Sequence, residues 1–272
     1  MTENSRTLVA VWWDLIEGEP AAATASRLDA HERERSRRFT GRALHEYVAA
    51  HGMVRSVLET LGWPARAPLL PGPCPLCGAP HGRPRLTVTG APELSLTHTT
   101  GFVAVALSQR VVGLDAEPTV EPKVVDEVSP SLHQQEQLEV SAACEADRSA
   151  AFTRAWVRSE AYLKGLGTGL GRLPDLDYVG PCSPEKHPPG WTVTDVDVPW
   201  PYHCALAVDA PEVDVVANRF SDRLGNWTPP GFHRALAPLL APPPSSLTTT
   251  GRRRDHWKSS STARPAGHQP RP

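Results

Sequence analysis

The chain has 272 residues, with 28 Lys and Arg against 30 Asp and Glu, a formal charge of −2, 40% hydrophobic and 6% aromatic residues. That length allows one large domain or two small ones with an ample core, and no apolar run nears the ~18–20 residues a membrane helix needs, which excludes an integral helical membrane protein. Five cysteines are too few and too odd for a disulfide scaffold, and Met1-Thr2-Glu3-Asn4-Ser5 lacks the features of a secretory leader, so a reducing cytoplasm is expected.

The small net charge hides an asymmetry. Residues 226–272 hold seven Lys and Arg and one acid, Asp255, a net +6, which leaves −8 on residues 1–225. An acidic body argues against nucleic acid as the main partner.

In chain order, residues 7–13 are β-branched and aromatic and predict a first strand. Residues 29–61, free of Pro and broken only by Gly41 and Gly52, predict helix. The Pro- and Gly-rich span 64–84 predicts a structured loop or junction. Three short apolar stretches, 93–97, 102–107 and 111–115, predict a small antiparallel sheet. An acidic region follows to residue 147, then a helix from about Arg148 to Gly165. Residues 191–198 alternate apolar and polar, as a half-buried strand does, and 202–208 reads as another. From about residue 240 the chain carries Pro, Ser, Thr and the run Arg252-Arg253-Arg254 without apolar periodicity, and is expected to be largely disordered.

Four motifs can carry chemistry. In Gly113-Leu114-Asp115-Ala116-Glu117-Pro118, residues two apart on a strand share a face, so Asp115 and Glu117 can converge on one point. Two carboxylates so aimed repel unless a cation or proton lies between them, and Mg²⁺ with its oxygen ligands meets that need; the plain alternative is a polar strand edge. Glu160 and Lys164, at i and i+4, share a helix face behind Trp156, either as a surface ion pair or as a carboxylate for metal or base work beside a phosphate-binding cation. Leu96-Thr97-His98-Thr99 closes a strand with hydroxyls suited to phosphate oxygens, or with a structural histidine. Cys74-x-x-Cys77, with His81 nearby, resembles half a zinc ribbon; with only three close ligands and a structural site wanting four, no stoichiometric zinc is expected.

Taken in this order, Gly82-Arg83-Pro84, Leu96-Thr97-His98-Thr99, Gly113-Leu114-Asp115-Ala116-Glu117 and Trp156 through Gly169 resemble the motifs of the 4′-phosphopantetheinyl transferases, in particular the surfactin-type branch, over roughly residues 8–225. The resemblance implies an α+β fold of two similar α/β halves in pseudo-twofold arrangement, residues 1–112 and 113–228, with the active-site cleft between them and a tail over 229–272. It implies a monomer that transfers 4′-phosphopantetheine from coenzyme A to a serine of an acyl- or peptidyl-carrier protein, releases adenosine 3′,5′-bisphosphate, and serves secondary metabolite biosynthesis. Asp115, Glu117 and Glu160 would hold Mg²⁺. Glu160 would also serve as, or position, the base for the carrier serine, and Lys164 would stabilise the leaving group. Arg83, Thr97 and His98 would contact coenzyme A phosphates, and the Arg-rich stretch Arg35-Ser36-Arg37-Arg38-Phe39 with Arg42, matching the family's basic first helix and with Arg38 and Arg42 foremost, would grip the 3′-phosphate. Ser159 stands where the family usually has Lys, a role lost or taken over by Arg158.

Two other functions use the same residues: a metal-dependent phosphoanhydride hydrolase acting on a nucleotide or coenzyme A, and a non-catalytic carrier-protein binder. All proposed catalytic residues lie before residue 171, so deletion of residues 241–272 is expected to leave folding and turnover almost unchanged. Assay of full-length and truncated protein at two salt concentrations checks this, since an effect of the basic tail on encounter alone fades near physiological salt.

Overall fold

The computed structural model describes residues 6–18, 22–220, 236–240 and 242. The expected disorder beyond residue 240 falls almost entirely outside the described residues.

The chain begins with β1 (Thr7–Leu15), α1 (Ala22–Arg27), α2 (Ala30–Ser36) and α3 (Gly41–Thr60). A short hairpin follows, β2 (Leu69–Pro71) and β3 (Pro84–Leu86), then β4 (Glu93–Thr99) and β5 (Phe102–Ser108). The second part comprises β6 (Val112–Pro118), α4 (Pro122–Val128), α5 (Gln134–Ala142), α6 (Glu145–Leu166), β7 (Thr192–Val196), β8 (Tyr202–Val208) and β9 (Val213–Arg219). The expected strands and long helices are present. The Pro-rich span is the β2–β3 hairpin, and β9 joins the set without having been foreseen.

One sheet has the order β4-β5-β1-β9, antiparallel except for the parallel β1–β9 pair; another has the order β6-β8-β7, antiparallel throughout. The third of the three apolar stretches, β6, therefore leaves the sheet expected for it. Its backbone pairs with β8, with Leu114 opposite Leu206. The connectivity strand–helices–strand–strand occurs twice, and each time the last strand of the unit lies between the other two.

Alternation along the strands explains the layering. On β1, Ala10 and Trp12 face a core with Val54, Val57 and Leu58 of α3. Val9 and Val11 point the other way, into a core with Leu114, Ala116, Leu206 and Val208 of the second sheet. The far side of that sheet, through Val193, Ala205 and Ala207, packs on Val157, Ala161 and Tyr162 of α6. Both sheets are thus covered on their apolar faces, with a helix outside each. On β6 the residues between Leu114 and Ala116 and beyond are Gly113, Asp115 and Glu117, and these share the face toward α6.

Gly113 is where α6 comes closest. A Cβ there would lie 1.9 Å from the Ala161 carbonyl oxygen and 2.4 Å from the Gly165 nitrogen. On the other side, α2 is held to α3 by the fully buried Arg55. Its guanidinium meets Asp29 at 2.7 Å and Glu32 at 2.7 Å, and donates to the Ala67 carbonyl. Asp29 and Glu32 also form a reciprocal cap at the start of α2.

A methyl group at position 113 must push the helix off the strand. Gly113→Ala is expected to lose about 3 kcal/mol or more of stability, read as a lower urea midpoint with an unchanged slope.

Candidate active site

The two edge strands β4 and β6 lie side by side without a backbone ladder. Hydroxyls of β4 join them instead. The Leu114 N–H donates to Ser95 Oγ at 2.9 Å, Thr97 Oγ1 donates to Asp115 Oδ1 at 3.2 Å, and Thr99 Oγ1 donates to Glu117 Oε2 at 2.7 Å. This pairing carries Asp115 and Glu117 to the wall of a cavity of about 580 Å³.

Helix α6 supplies the rest of that wall. Its contact with Gly113 sets its height, and Glu160 and Lys164, one turn apart, line the same cavity. Lys164 Nζ donates to Asp115 Oδ1 at 2.6 Å and lies 3.4 Å from Thr97 Oγ1. Gly167, in the left-handed conformation with φ +82°, ends the helix, and its open α-carbon lies against the Arg83 side chain.

Three acids and one ammonium leave this wall negative. Burial, then the charges of Asp115 and Glu117, push Glu160 up to about 7 against a partial pull from Lys164. Burial raises Glu117 as well, opposed by the Thr99 hydrogen bond. Burial alone would lower Lys164, but the Asp115 carboxylate holds it above its ordinary value.

Basic and aromatic side chains also line the cavity. Arg83 and His98 line it with His31, Arg35, Phe39, Tyr47 and His51. The buried Arg83 Nη1 is ion-paired with Glu93 at 3.4 Å and makes no hydrogen bond. Burial lowers His98, with help from His51 and Lys164. Phe39, Tyr47 and His51 stack in series, with ring centroids 5.1 and 4.1 Å apart.

Arg83, Thr97, His98, Asp115, Glu117, Glu160 and Lys164, drawn from motifs up to 80 residues apart, therefore line one cavity. Arg38 and Arg42 do not line it. Both are exposed, and Arg35 is the arginine of that run on the cavity, because α2 ends at Ser36 and turns Arg38 out. Nor does Arg158 replace a missing Lys at position 159. Its guanidinium faces the other way, donating to the Val179, Gly180 and Val193 carbonyls and to Asp195, while Ser159 is buried with an unpaired hydroxyl. The Phe39–Tyr47–His51 stack was missed; its signal is the i, i+4 spacing of Tyr47 and His51 within α3.

The acidic wall suits a hard divalent cation. Asp115 Oδ2 is buried without a hydrogen-bond partner, and the donor set is all oxygen. Among the described residues, the one group of three or more potential ligands with all ligand atoms within 4.8 Å is Cys74, Cys77 and His81.

Residues 111–217, from the start of β6 into β9, match the family model of the 4′-phosphopantetheinyl transferase superfamily. This supports phosphopantetheine transfer in general terms, and the mixed α+β architecture is consistent with such a domain. A search of curated proteins found no match. No helix among the described residues is long and apolar enough to cross a membrane.

The raised Glu160 has a stability consequence without metal. Its folded value is about 7 against an ordinary 4.5, so its contribution is fully present below 4.5 and lost as pH rises through 7. Because solvent partly screens this carboxyl, Glu160→Gln is expected to stabilise the metal-free protein by about 1–2 kcal/mol at pH 8 and by little at pH 4.5. Urea unfolding in chelator at the two pH values checks it.

Proposed function

We propose that this protein transfers 4′-phosphopantetheine from coenzyme A to a serine of an acyl- or peptidyl-carrier protein and releases adenosine 3′,5′-bisphosphate, as a monomer of the surfactin-type branch with halves 1–112 and 113–228 in pseudo-twofold relation. The observation that carries this reading is the gathering of Asp115, Glu117, Glu160, Lys164, Arg83 and His98 on one cavity. That combination suits a pyrophosphate with an attacking hydroxyl on one side and a departing phosphate on the other.

Asp115, Glu117 and Glu160 would hold Mg²⁺, which when bound supplies neutralisation of pyrophosphate charge. Glu160 takes the serine proton directly or through a water it orients. The serine oxygen forms a bond to the phosphorus bearing pantetheine, and the anhydride bond to the adenosine bisphosphate breaks. Lys164 stabilises the charge on the departing oxygen, a form of electrostatic assistance typical of phosphoryl transfer. Arg83, whose Nη1 is ion-paired with Glu93 but makes no hydrogen bond, offers its guanidinium to phosphate oxygens, and a charge-assisted bond there is stronger than a neutral one. Thr97 and His98 hold the same end, Arg35 stands nearer than Arg38 or Arg42 for the 3′-phosphate, and the Phe39–Tyr47–His51 stack offers a platform for the adenine ring.

Mass spectrometry of an apo carrier protein mixed with this protein, coenzyme A and Mg²⁺ is expected to show a gain of one phosphopantetheine on serine, abolished by EDTA. Asp115→Ala should lower kcat by about 10²–10³-fold while remaining folded. Coenzyme A cleavage without a carrier protein would instead mark a hydrolase.

A further inference from the structure

The loop between β2 and β3 is closed by backbone hydrogen bonds and tight turns rather than by a core. Its neck is closed by two backbone bonds, Gly72 N–H to the Arg83 carbonyl at 2.8 Å and Gly82 N–H to the Gly72 carbonyl at 2.9 Å. Gly82 is packed so closely that a Cβ would lie 2.5 Å from the Pro73 oxygen. Beyond the neck, Gly78, at φ +73°, donates to the Cys74 carbonyl at 2.8 Å, and Cys74 N–H returns to the Ala79 carbonyl at 2.8 Å. This tight turn gathers the ligand atoms of Cys74, Cys77 and His81 within 4.8 Å of one another, with Cys77 Sγ 3.1 Å from His81 Nε2. The backbone N–H groups of Leu76 and Cys77 point at the Cys74 sulfur. Little apolar burial holds the loop, since Leu76 at its tip is 55% exposed. Ordering costs about 1–2 kcal/mol per residue in backbone entropy alone, so something other than a core must offset it.

We propose that Cys74, Cys77 and His81 bind a zinc ion, with water in the fourth position, and that the ion fixes the loop carrying Arg83 to the cavity. Tetrahedral zinc, with bonds of about 2.3 Å to sulfur and 2.0–2.1 Å to nitrogen, sets its S···N edge at about 3.5 Å and its S···S edge at about 3.8 Å. The three atoms need move only slightly to meet it. Binding releases the protons of both thiols, and two thiolates with a neutral imidazole balance the ion's charge. Soft sulfur donors select zinc over the Mg²⁺ suited to the all-oxygen wall of Asp115, Glu117 and Glu160, so the two sites do not compete. This proposal departs from the expectation of no zinc drawn from ligand count. His81, Gly82 and Arg83 are consecutive and all line the cavity, so a ligand at position 81 restrains the backbone that delivers the Arg83 guanidinium. That positioning role rests on reading the cavity as a coenzyme A site; the metal site does not.

Untagged full-length protein, purified with a non-chelating reductant, is expected to carry one zinc per chain by elemental mass spectrometry. Cys77→Ser and His81→Ala should lose it, and Cys144→Ser, outside the loop, should keep it. Cobalt titrated into zinc-stripped wild-type protein needs no variant, and is expected to give thiolate-to-cobalt charge transfer with intense tetrahedral visible bands. Absence of both the zinc and the cobalt spectrum overturns the site, as does a Cys74–Cys77 disulfide in the protein as isolated. Calorimetry then reads the positioning role: stripping zinc should weaken coenzyme A binding about tenfold, the loss of one charge-assisted hydrogen bond. Unchanged affinity overturns that role. Wild-type protein that holds zinc yet binds no coenzyme A upholds the metal site and overturns the cavity reading instead.

Discussion

The geometry of the active cavity depends on one close contact, the approach of α6 to β6 at Gly113. With hydrogen in place of a methyl, the Ala161 carbonyl and the Gly165 backbone come within reach of the strand. Position 113 precedes Asp115 and Glu117 on the same strand face, and positions 161 and 165 adjoin Glu160 and Lys164 on the helix. Bringing the two backbones together therefore brings the four charged groups together. Wider separation would give Lys164 a longer path to Asp115 and Glu160 more water, which would undo the burial that holds its carboxyl near 7.

The second constraint is the seam of hydroxyls between β4 and β6. Two exposed sheet edges are ordinarily a hazard, because their free backbone groups invite pairing with other chains. Here the Ser95, Thr97 and Thr99 side chains occupy the gap, each at the period of two that keeps them on one side of the strand. The same bonds orient Asp115 and Glu117.

Much of the site was legible because its residues lie on regular elements. Asp115 and Glu117 share a strand face, Glu160 and Lys164 share a helix face, and the structure places all four on one wall. What failed was what periodicity does not encode. Within the Arg-rich stretch, Arg35 lines the cavity while Arg38 is exposed, because α2 stops at Ser36, and the end of a helix is what its periodicity does not encode. Arg158 has the charge to stand in for a missing neighbour, yet its direction follows from partners on β7 and the preceding loop that are distant in sequence. β6 was grouped with the β4–β5 hairpin by proximity along the chain, whereas its ladder partner, β8, is about ninety residues away. β9 escaped because Val213-Asp214-Val215-Val216-Ala217-Asn218-Arg219 is half polar, as suits an edge strand.

That edge strand has a bearing on how the molecule is made. β9 lies parallel to β1, with Thr7 opposite Val213, so the first strand synthesised waits for almost the last described one before its sheet is complete. A ribosome exposes β1, β4 and β5 long before β9 exists, leaving one side of β1 unpaired through most of translation. Contacts so distant in sequence close slowly. Completion of this sheet is therefore timed by the emergence of residues 213–219.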